Sequence, residues 1–238
     1  MKKFILIIMA FSIAIITADA RKGLVNGLSF GGHSNATENK EDDMDSEDIR
    51  NFYISIDDTR YQWTQSKTKN QQALMSTRGL TINNKLENTI FASTVELPLV
   101  VESDDFTFGI VTKPVKLSED TGLALLFDYQ DDRNFKTIII DDSQYRYMVY
   151  SGGIPSTVKT GLIKFPKKAK TISMYIQREG SIIHFFLNDV EYGTFKNVSI
   201  NNPTFGAGVL GKNFANIIAM IFKLESNDGD SEQSTTGN

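Results

Sequence analysis

The sequence predicts an all-β protein, folded as an antiparallel sandwich or barrel. Short runs of β-branched and aromatic residues recur about every 8–12 residues, which is typical of such folds. Turn residues separate these runs, and no apolar stripe with the 3.6-residue period of a helix interrupts them. Of the 238 residues, 40% are apolar and 23% charged. This composition is globular rather than disordered, and no apolar run reaches the ~20 residues of a membrane-spanning helix.

Alternation supports the individual strands. In residues 171–177, Ile172, Met174 and Ile176 fall on one face, and residues 106–111 alternate in the same way. Glu179-Gly180 and Asn188-Asp189 are turn pairs that tolerate positive φ, so they predict hairpins between residues 171–177, 181–187 and 190–195. Further strands are predicted at residues 73–76, 80–82, 89–95, 122–127, 135–140, 144–150, 204–210 and 216–224.

The first twenty residues have the pattern of a cleaved secretory signal peptide. Lys2 and Lys3 precede an apolar stretch at residues 4–17, and Ala18-Asp19-Ala20 is a small-x-small cleavage site. The chain has no cysteine, which excludes disulfides, cysteine nucleophiles and the lipid anchor of a lipoprotein. We therefore expect a bacterial protein that is periplasmic or secreted after cleavage following Ala20, with no membrane insertion.

Charge divides the remaining chain. Between Glu38 and Arg50 there are seven acidic residues and two basic ones, and the tail after Leu224 adds four acids and no base. Residues 51–224 carry 19 bases and 17 acids, without the basic stripe that nucleic acid binding requires. We expect a disordered acidic leader at residues 21–50, one β-sandwich domain at 51–224, a disordered tail at 225–238, and no nucleic-acid partner.

Motifs in the domain resemble those of the superfamily of concanavalin A-like lectins and glucanases, whose jelly roll is also called laminin G-like. They are the strand pattern at residues 105–108, the segment from Gly122 to Phe135, the strand with Tyr145-Arg146-Tyr147, the hairpin at residues 176–189, and residues 205–208. Asp189 stands where that hairpin usually has glycine. The resemblance implies a two-sheet jelly roll, and bacterial exported members are similar to keto-disaccharide hydrolase-like domains. Lectins, carbohydrate-binding modules, adhesion modules and glycoside hydrolases all use this fold.

No catalytic set is predicted. Glucanases of this fold carry alternating carboxylates on one strand, but the only dense acidic run here lies in the leader, and the glutamates of the domain are isolated. The sequence leaves open a catalytic pair of carboxylates contributed by two distant strands. His184 is expected on the surface face of its strand, and the only other histidine, His33, lies in the leader.

Aromatic side chains are the candidate ligand-binding residues. The rings that could lie against a sugar are those of Trp63, Tyr129, Tyr145, Tyr147 and Tyr150, and Arg146 could bond its hydroxyls. Tyr145 and Tyr147 share one face of their strand, whereas Arg146, Met148 and Tyr150 share the other. One of these faces, together with Trp63, could equally fill the core.

Clustered acids raise calcium as the one candidate cofactor. Asp128, Asp131, Asp132 and Asn134 fall in one predicted turn, and Asp141-Asp142 in the next. Ordinary hairpin-loop acids are the favoured interpretation, so we expect no metal site and no other cofactor.

These observations favour an exported, non-catalytic module that binds a glycan or a cell-surface partner. Two alternatives remain: a glycoside hydrolase of the keto-disaccharide type, and a structural or adhesion domain that binds another protein.

Overall fold

The computed structural model describes residues 49–101, 103–165 and 169–225. The predicted signal peptide, the predicted leader up to residue 48 and the predicted tail after Glu225 lie outside the described residues. The chain divides into two units, residues 1–44 and 45–238, and every described residue belongs to the second.

The described residues form strands and one short 3₁₀ helix. None of their helices has the length and apolar character needed to cross a bilayer. In chain order the elements are η1 (Ile49–Phe52), β1 (Tyr53–Ser55), β2 (Ser66–Lys67), β3 (Gln71–Ser76), β4 (Gly79–Asn84), β5 (Ile90–Glu96), β6 (Asp105–Thr112), β7 (Gly122–Asp131), β8 (Asn134–Ile140), β9 (Gln144–Ser151), β10 (Ile154–Leu162), β11 (Ile172–Glu179), β12 (Ile182–Leu187), β13 (Val190–Phe195), β14 (Thr204–Leu210) and β15 (Asn213–Glu225).

The strands form two antiparallel sheets that pack as a sandwich, as predicted. The nine-stranded sheet has the order β13-β12-β11-β6-β15-β4-β3-β2, with β1 paired to β15. The six-stranded sheet has the order β10-β9-β8-β7-β14-β5. Neighbours such as β14 and β7 are distant in sequence, so long connections cross between the sheets, as in a jelly roll.

The core lies between the two sheets because alternate side chains of each strand point inward. Phe205 of the six-stranded sheet contacts Phe106 and Phe108 of the other sheet, with ring centroids 5.2 and 4.8 Å apart. Tyr145 contacts Phe185 in the same way at 5.4 Å. Burial of aromatic rings from both sheets is a large share of what holds them together.

The six-stranded sheet is apolar on its second face too. Ala124, Leu126, Phe135 and Ile139 form a separate buried cluster on the side away from the core. The sequence shows this as near-continuous apolar runs in β7 and β8, where strict alternation would have placed polar residues. We call this surface the outer face; the register places Phe135, Ile139, Arg146, Met148 and Tyr150 on it.

The predicted hairpins and most predicted strands are confirmed within one to four residues at each end. Gly180, Asn188 and Asp189 all have positive φ, as the turn prediction required. Three strands were missed: β1, β2 and β10. Since β10 is an edge strand that contains Pro155 and exposes every residue from 154 to 160, it lacks the apolar alternation of a buried strand.

Candidate functional site

Two stacked aromatic rings and an arginine lie on the outer face. Phe135 of β8 pairs with Tyr150 of β9, and four residues further along β8 the register pairs Ile139 with Arg146. The rings of Phe135 and Tyr150 stack with centroids 4.3 Å apart and planes within 11° of parallel. Tyr129, at the end of β7, adds a third ring 5.9 Å from Phe135.

The three rings differ in exposure. Phe135 is buried, whereas Tyr129 and Tyr150 are half-buried, so part of each tyrosine reaches solvent. The hydroxyl of Tyr129 donates a hydrogen bond to Asp132, at 2.5 Å. Burial, reinforced by this bond, raises the pKa of Tyr129, and burial also raises the pKa of Tyr150. Both phenols therefore stay neutral and able to donate hydrogen bonds at physiological pH.

Arg146 lies on the same face, four residues before Tyr150 along β9 with Met148 between them, and its guanidinium is incompletely paired. Its Nη2 is 3.7 Å from Oδ2 of Asp141, which is too long for a hydrogen bond. The other carboxylate oxygen of Asp141 accepts bonds from the backbone N–H groups of Ser143 and Gln144, which fixes its orientation. Three buried atoms have no hydrogen-bond partner among the residues that the structure describes: Nε and Nη2 of Arg146 and Oδ2 of Asp141. Buried polar atoms of this kind are uncommon, and such a cluster needs an explanation.

Three of the sequence-predicted binding residues lie in the core instead. Trp63, Tyr145 and Tyr147 are 5, 2 and 4% exposed. The assignment of these rings as exposed platforms is therefore corrected: the face of β9 that carries the two tyrosines points at the other sheet. Burial raises the pKa of Tyr147 to about 12. Of the predicted set, the structure brings Tyr129, Arg146 and Tyr150 to one surface and leaves the other three inside.

The acids considered for calcium do not converge on one point. Asp128 is bound by Lys136 and by the backbone of residues 201 and 202, Asp131 by Asn134, and Asp132 by Tyr129. In the described part of the chain no group of three or more acidic or histidine side chains could hold a metal ion.

One pair of carboxylates on this sheet, Asp141 and Glu96, is too far apart for glycoside hydrolysis. Asp141 and Glu96 are three strand spacings apart across the sheet and about six residues apart along the strand direction. Ordinary strand spacing and rise per residue then give a separation of roughly 25 Å. Glycosidases need two carboxyl groups about 5–10 Å apart. His184 lies on the surface of the other sheet, as predicted, where Nδ1 is 2.9 Å from Glu191.

A cavity of about 890 Å³ opens at the β5 edge of the six-stranded sheet. The loop at residues 60–64 runs along this edge, with the N–H of Thr64 donating to Thr94 O at 2.8 Å and the N–H of Thr94 donating to Thr64 Oγ1 at 2.8 Å. The cavity is lined by residues 60–62 and 64 of this loop, by residues 94 and 96–98, and by Thr204.

Sequence reasoning missed Phe135, Asp141 as the neighbour of Arg146, and the whole cavity. The signal for Phe135 was its place in an apolar run, which does not distinguish an inner from an outer face. The cavity comes from three segments that lie 30 and about 110 residues apart, so only the strand register could have assembled it.

Comparisons with known proteins support the fold. No protein-family model matches the sequence, and a search of curated proteins found no match. A β-glucanase from Bacillus licheniformis superposes with a TM-score of 0.50 at 9% identity, covering 72% of this chain and 97% of the glucanase. A structure described as a native glycosidic hydrolase superposes with a TM-score of 0.50 at 8% identity, covering 72% of this chain and 94% of the hydrolase. The carbohydrate-binding module CBM66 from Bacillus subtilis superposes with a TM-score of 0.47 at 15% identity, covering 69% of this chain and 95% of the module.

At these identities the likeness shows the fold alone, and that fold is the concanavalin A-like jelly roll.

Proposed function

We propose that the protein is an exported, non-catalytic module that binds carbohydrate on the outer face. One observation carries the proposal: two half-buried tyrosine rings and a partly exposed arginine lie on the same apolar sheet face, and the guanidinium of the arginine is incompletely paired among the described residues. Small-ligand sites commonly combine apolar and aromatic walls with a few fixed polar groups.

The chemistry of a sugar suits this surface. A pyranose ring has an apolar C–H face, which can lie against Tyr150 or Tyr129, and hydroxyls at its rim. The planar guanidinium of Arg146 offers several donors in a fixed arrangement, and the phenol of Tyr150 can donate or accept. Because Asp141 compensates the charge of Arg146, the site does not require an anionic ligand.

Catalysis is the less favoured function. The two comparisons at a TM-score of 0.50 are with hydrolases, but a shared fold does not transfer an activity. The separation of roughly 25 Å between Asp141 and Glu96 is far beyond the ~5–10 Å that glycosidases need. Asp128 lies nearer to Glu96, but its carboxylate is already bound by Lys136 and by two backbone N–H groups.

A protein partner at a cell surface is the second candidate, because β10 leaves one edge of a sheet open. Its residues 154–160 are all exposed, and an extended segment could add to this edge as a further strand. Pro155 and the irregularity between Thr157 and Lys159 oppose such pairing, so glycan binding is the better-supported function.

A glycan-array screen of residues 21–238 tests the proposal. We expect selective binding that Tyr150→Ala weakens at least tenfold, because the ring platform is lost, and that Arg146→Lys weakens because a lysine lacks the planar donor set. Phe214→Ala, exposed on the other sheet, and the surface change Arg78→Lys are matched controls with no expected effect.

Calcium is tested in the same screen, run in calcium chloride and in a chelator. Equal binding is expected, since the candidate acids are already engaged with other groups. Silence on every glycan, with the protein folded by circular dichroism, would overturn carbohydrate binding.

A further inference from the structure

The cavity beside residues 60–64 and the aromatic rings of the outer face lie in one row across the sheet. Gly206 of β14 pairs with Leu126 of β7, and Leu126 pairs with Thr137 of β8. Thr204 and Phe135 each lie two residues from this paired row, on the same side of it, where the register of β7 against β8 becomes irregular. Phe135 pairs with Tyr150 on one side of this row. On the other side Thr204 pairs with Glu96, and both line the cavity.

The length of this row follows from the strand spacing. From Tyr150 to Glu96 there are four steps between neighbouring strands, or about 19 Å. A single sugar ring in contact with Tyr150 could not reach the cavity. A chain of several sugar units lying across the strands could contact both.

The two ends of the row differ. At the β5 end, the loop at residues 60–64 is bonded to the sheet edge, and its side chains form a wall of the cavity. At the β10 end, Pro155 pairs with Tyr150 and is exposed, as are its neighbours along the edge strand. A chain-like ligand is therefore stopped at one end and free to continue at the other.

The cavity also offers polar groups. The carboxylate of Glu96 is exposed and makes no hydrogen bond or ion pair within the described residues. Gln62 and Thr204 add an amide and a hydroxyl, and Leu97 and Pro98 form an apolar side. This mixture resembles the outer face itself and suits the hydroxyl-rich end of a sugar chain.

We infer that the ligand is an oligosaccharide whose terminal unit lies in this cavity, and whose next units cross the sheet to Tyr150. The inference rests on the proposed function, since it names the length and the bound end of the same ligand. It makes the loop at residues 60–64 the element that sets which part of a glycan is recognised.

The test uses defined oligosaccharides of β-1,3- and β-1,4-linked glucose with two, four and six units, measured by isothermal titration calorimetry. We expect affinity to rise at least tenfold between two and four units and then level off. Two further ligands carry a chemical block on the first or on the last sugar unit. The block on the unit that enters the cavity should lower affinity by a similar factor, and the block on the opposite end should not.

Variants separate the cavity from the rings. Glu96→Gln and Gln62→Ala should weaken ligands of every length about fivefold or more, because each places its terminal unit in the cavity. Tyr150→Ala should weaken the four-unit and six-unit ligands and leave the two-unit ligand unchanged, because two units do not reach across the sheet. Glu119→Gln, an exposed acid in the β6–β7 connection, is the matched control.

Two failures are distinguishable. If the unmodified protein binds two-unit and six-unit ligands equally and the cavity variants change neither, the inference is wrong while carbohydrate binding stands. If these glucans and every glycan on the array fail to bind, the proposed function itself is wrong.

Discussion

Lys136 donates a hydrogen bond to the carboxylate of Asp128, and that carboxylate also accepts bonds from the backbone N–H groups of Asn201 and Asn202. Asp128 is 5% exposed and has a positive φ of 50°. The amino group of Lys136 further bonds the carbonyl of Ser199. One buried ion pair thus attaches the connection before β14 to the end of β7, where the strand is irregular.

We predict that Asp128→Ala lowers the free energy of unfolding by about 3–5 kcal/mol, because it leaves a largely buried lysine and two N–H groups without an acceptor. Asp128→Asn keeps an acceptor and tolerates positive φ, so its loss should be smaller. Urea unfolding monitored by circular dichroism gives both values. A loss below about 1 kcal/mol for the alanine variant would show that the connection is held by other contacts.

Tyr147→Ala is expected to reduce stability and not to act as a probe of binding. The ring of Tyr147 lies 4.6 Å from Phe195 and 5.9 Å from Phe127, inside the core. Removing a buried aromatic ring costs about 3–5 kcal/mol. Thermal unfolding checks this, with Tyr150→Ala on the outer face as the comparison. A near-normal melting temperature for Tyr147→Ala would contradict the assignment of this face to the core.

Acid should weaken the β12–β13 hairpin. Hydrogen bonds from His184 and then from Thr194 hold the pKa of Glu191 below its ordinary value. The stabilisation is complete above that ordinary value and is lost as the pH falls through the lowered pKa. For so exposed a group we expect less than about 1 kcal/mol. The free energy of unfolding of the unmodified protein and of Glu191→Gln, measured from pH 7 to pH 3, should become equal at the acid end. A constant difference between the two across this range would show that Glu191 does not contribute to the loss of stability in acid.

Deleting Val158 should promote self-association. The register of β10 against β9 shifts between Thr157 and Lys159, which leaves Val158 as an extra, 57% exposed residue. Such bulges twist an edge strand and discourage pairing with a second chain. Light scattering of the deletion variant, with Val158→Ser as the control that keeps the bulge, should show larger species. Unchanged mass at high concentration would mean that Pro155 alone protects the edge.

The sequence predicts the sandwich well because turn residues and alternation are local signals. It could not decide which face of β9 is the core. Tyr145 and Tyr147 on one face and Tyr150 on the other are chemically alike, and only the position of the second sheet separates them. Strand β10 was missed because Pro155 and its exposed polar neighbours do not follow a buried-strand pattern.

Of the candidate site, Tyr129, Arg146 and Tyr150 could be named from their residue types, but their neighbours could not. Phe135 and Asp141 join them through the register of β7, β8 and β9, and Glu96 and Thr204 through β5 and β14. Such cross-strand groupings depend on pairing over long sequence distances, which a single sequence does not show.

The pairing of β1 with β15 has a consequence for where the described chain ends lie. Tyr53 lies opposite Ile221, and β15 ends at Glu225, opposite Asp105, so both ends of the described domain are on the nine-stranded sheet. The short helix η1 packs on the outside of that sheet through Ile49 and Phe52. The first and last described residues therefore both lie on the nine-stranded sheet, whereas Arg146 and Tyr150 lie on the outer face of the other sheet, so neither described chain end crosses the proposed binding surface.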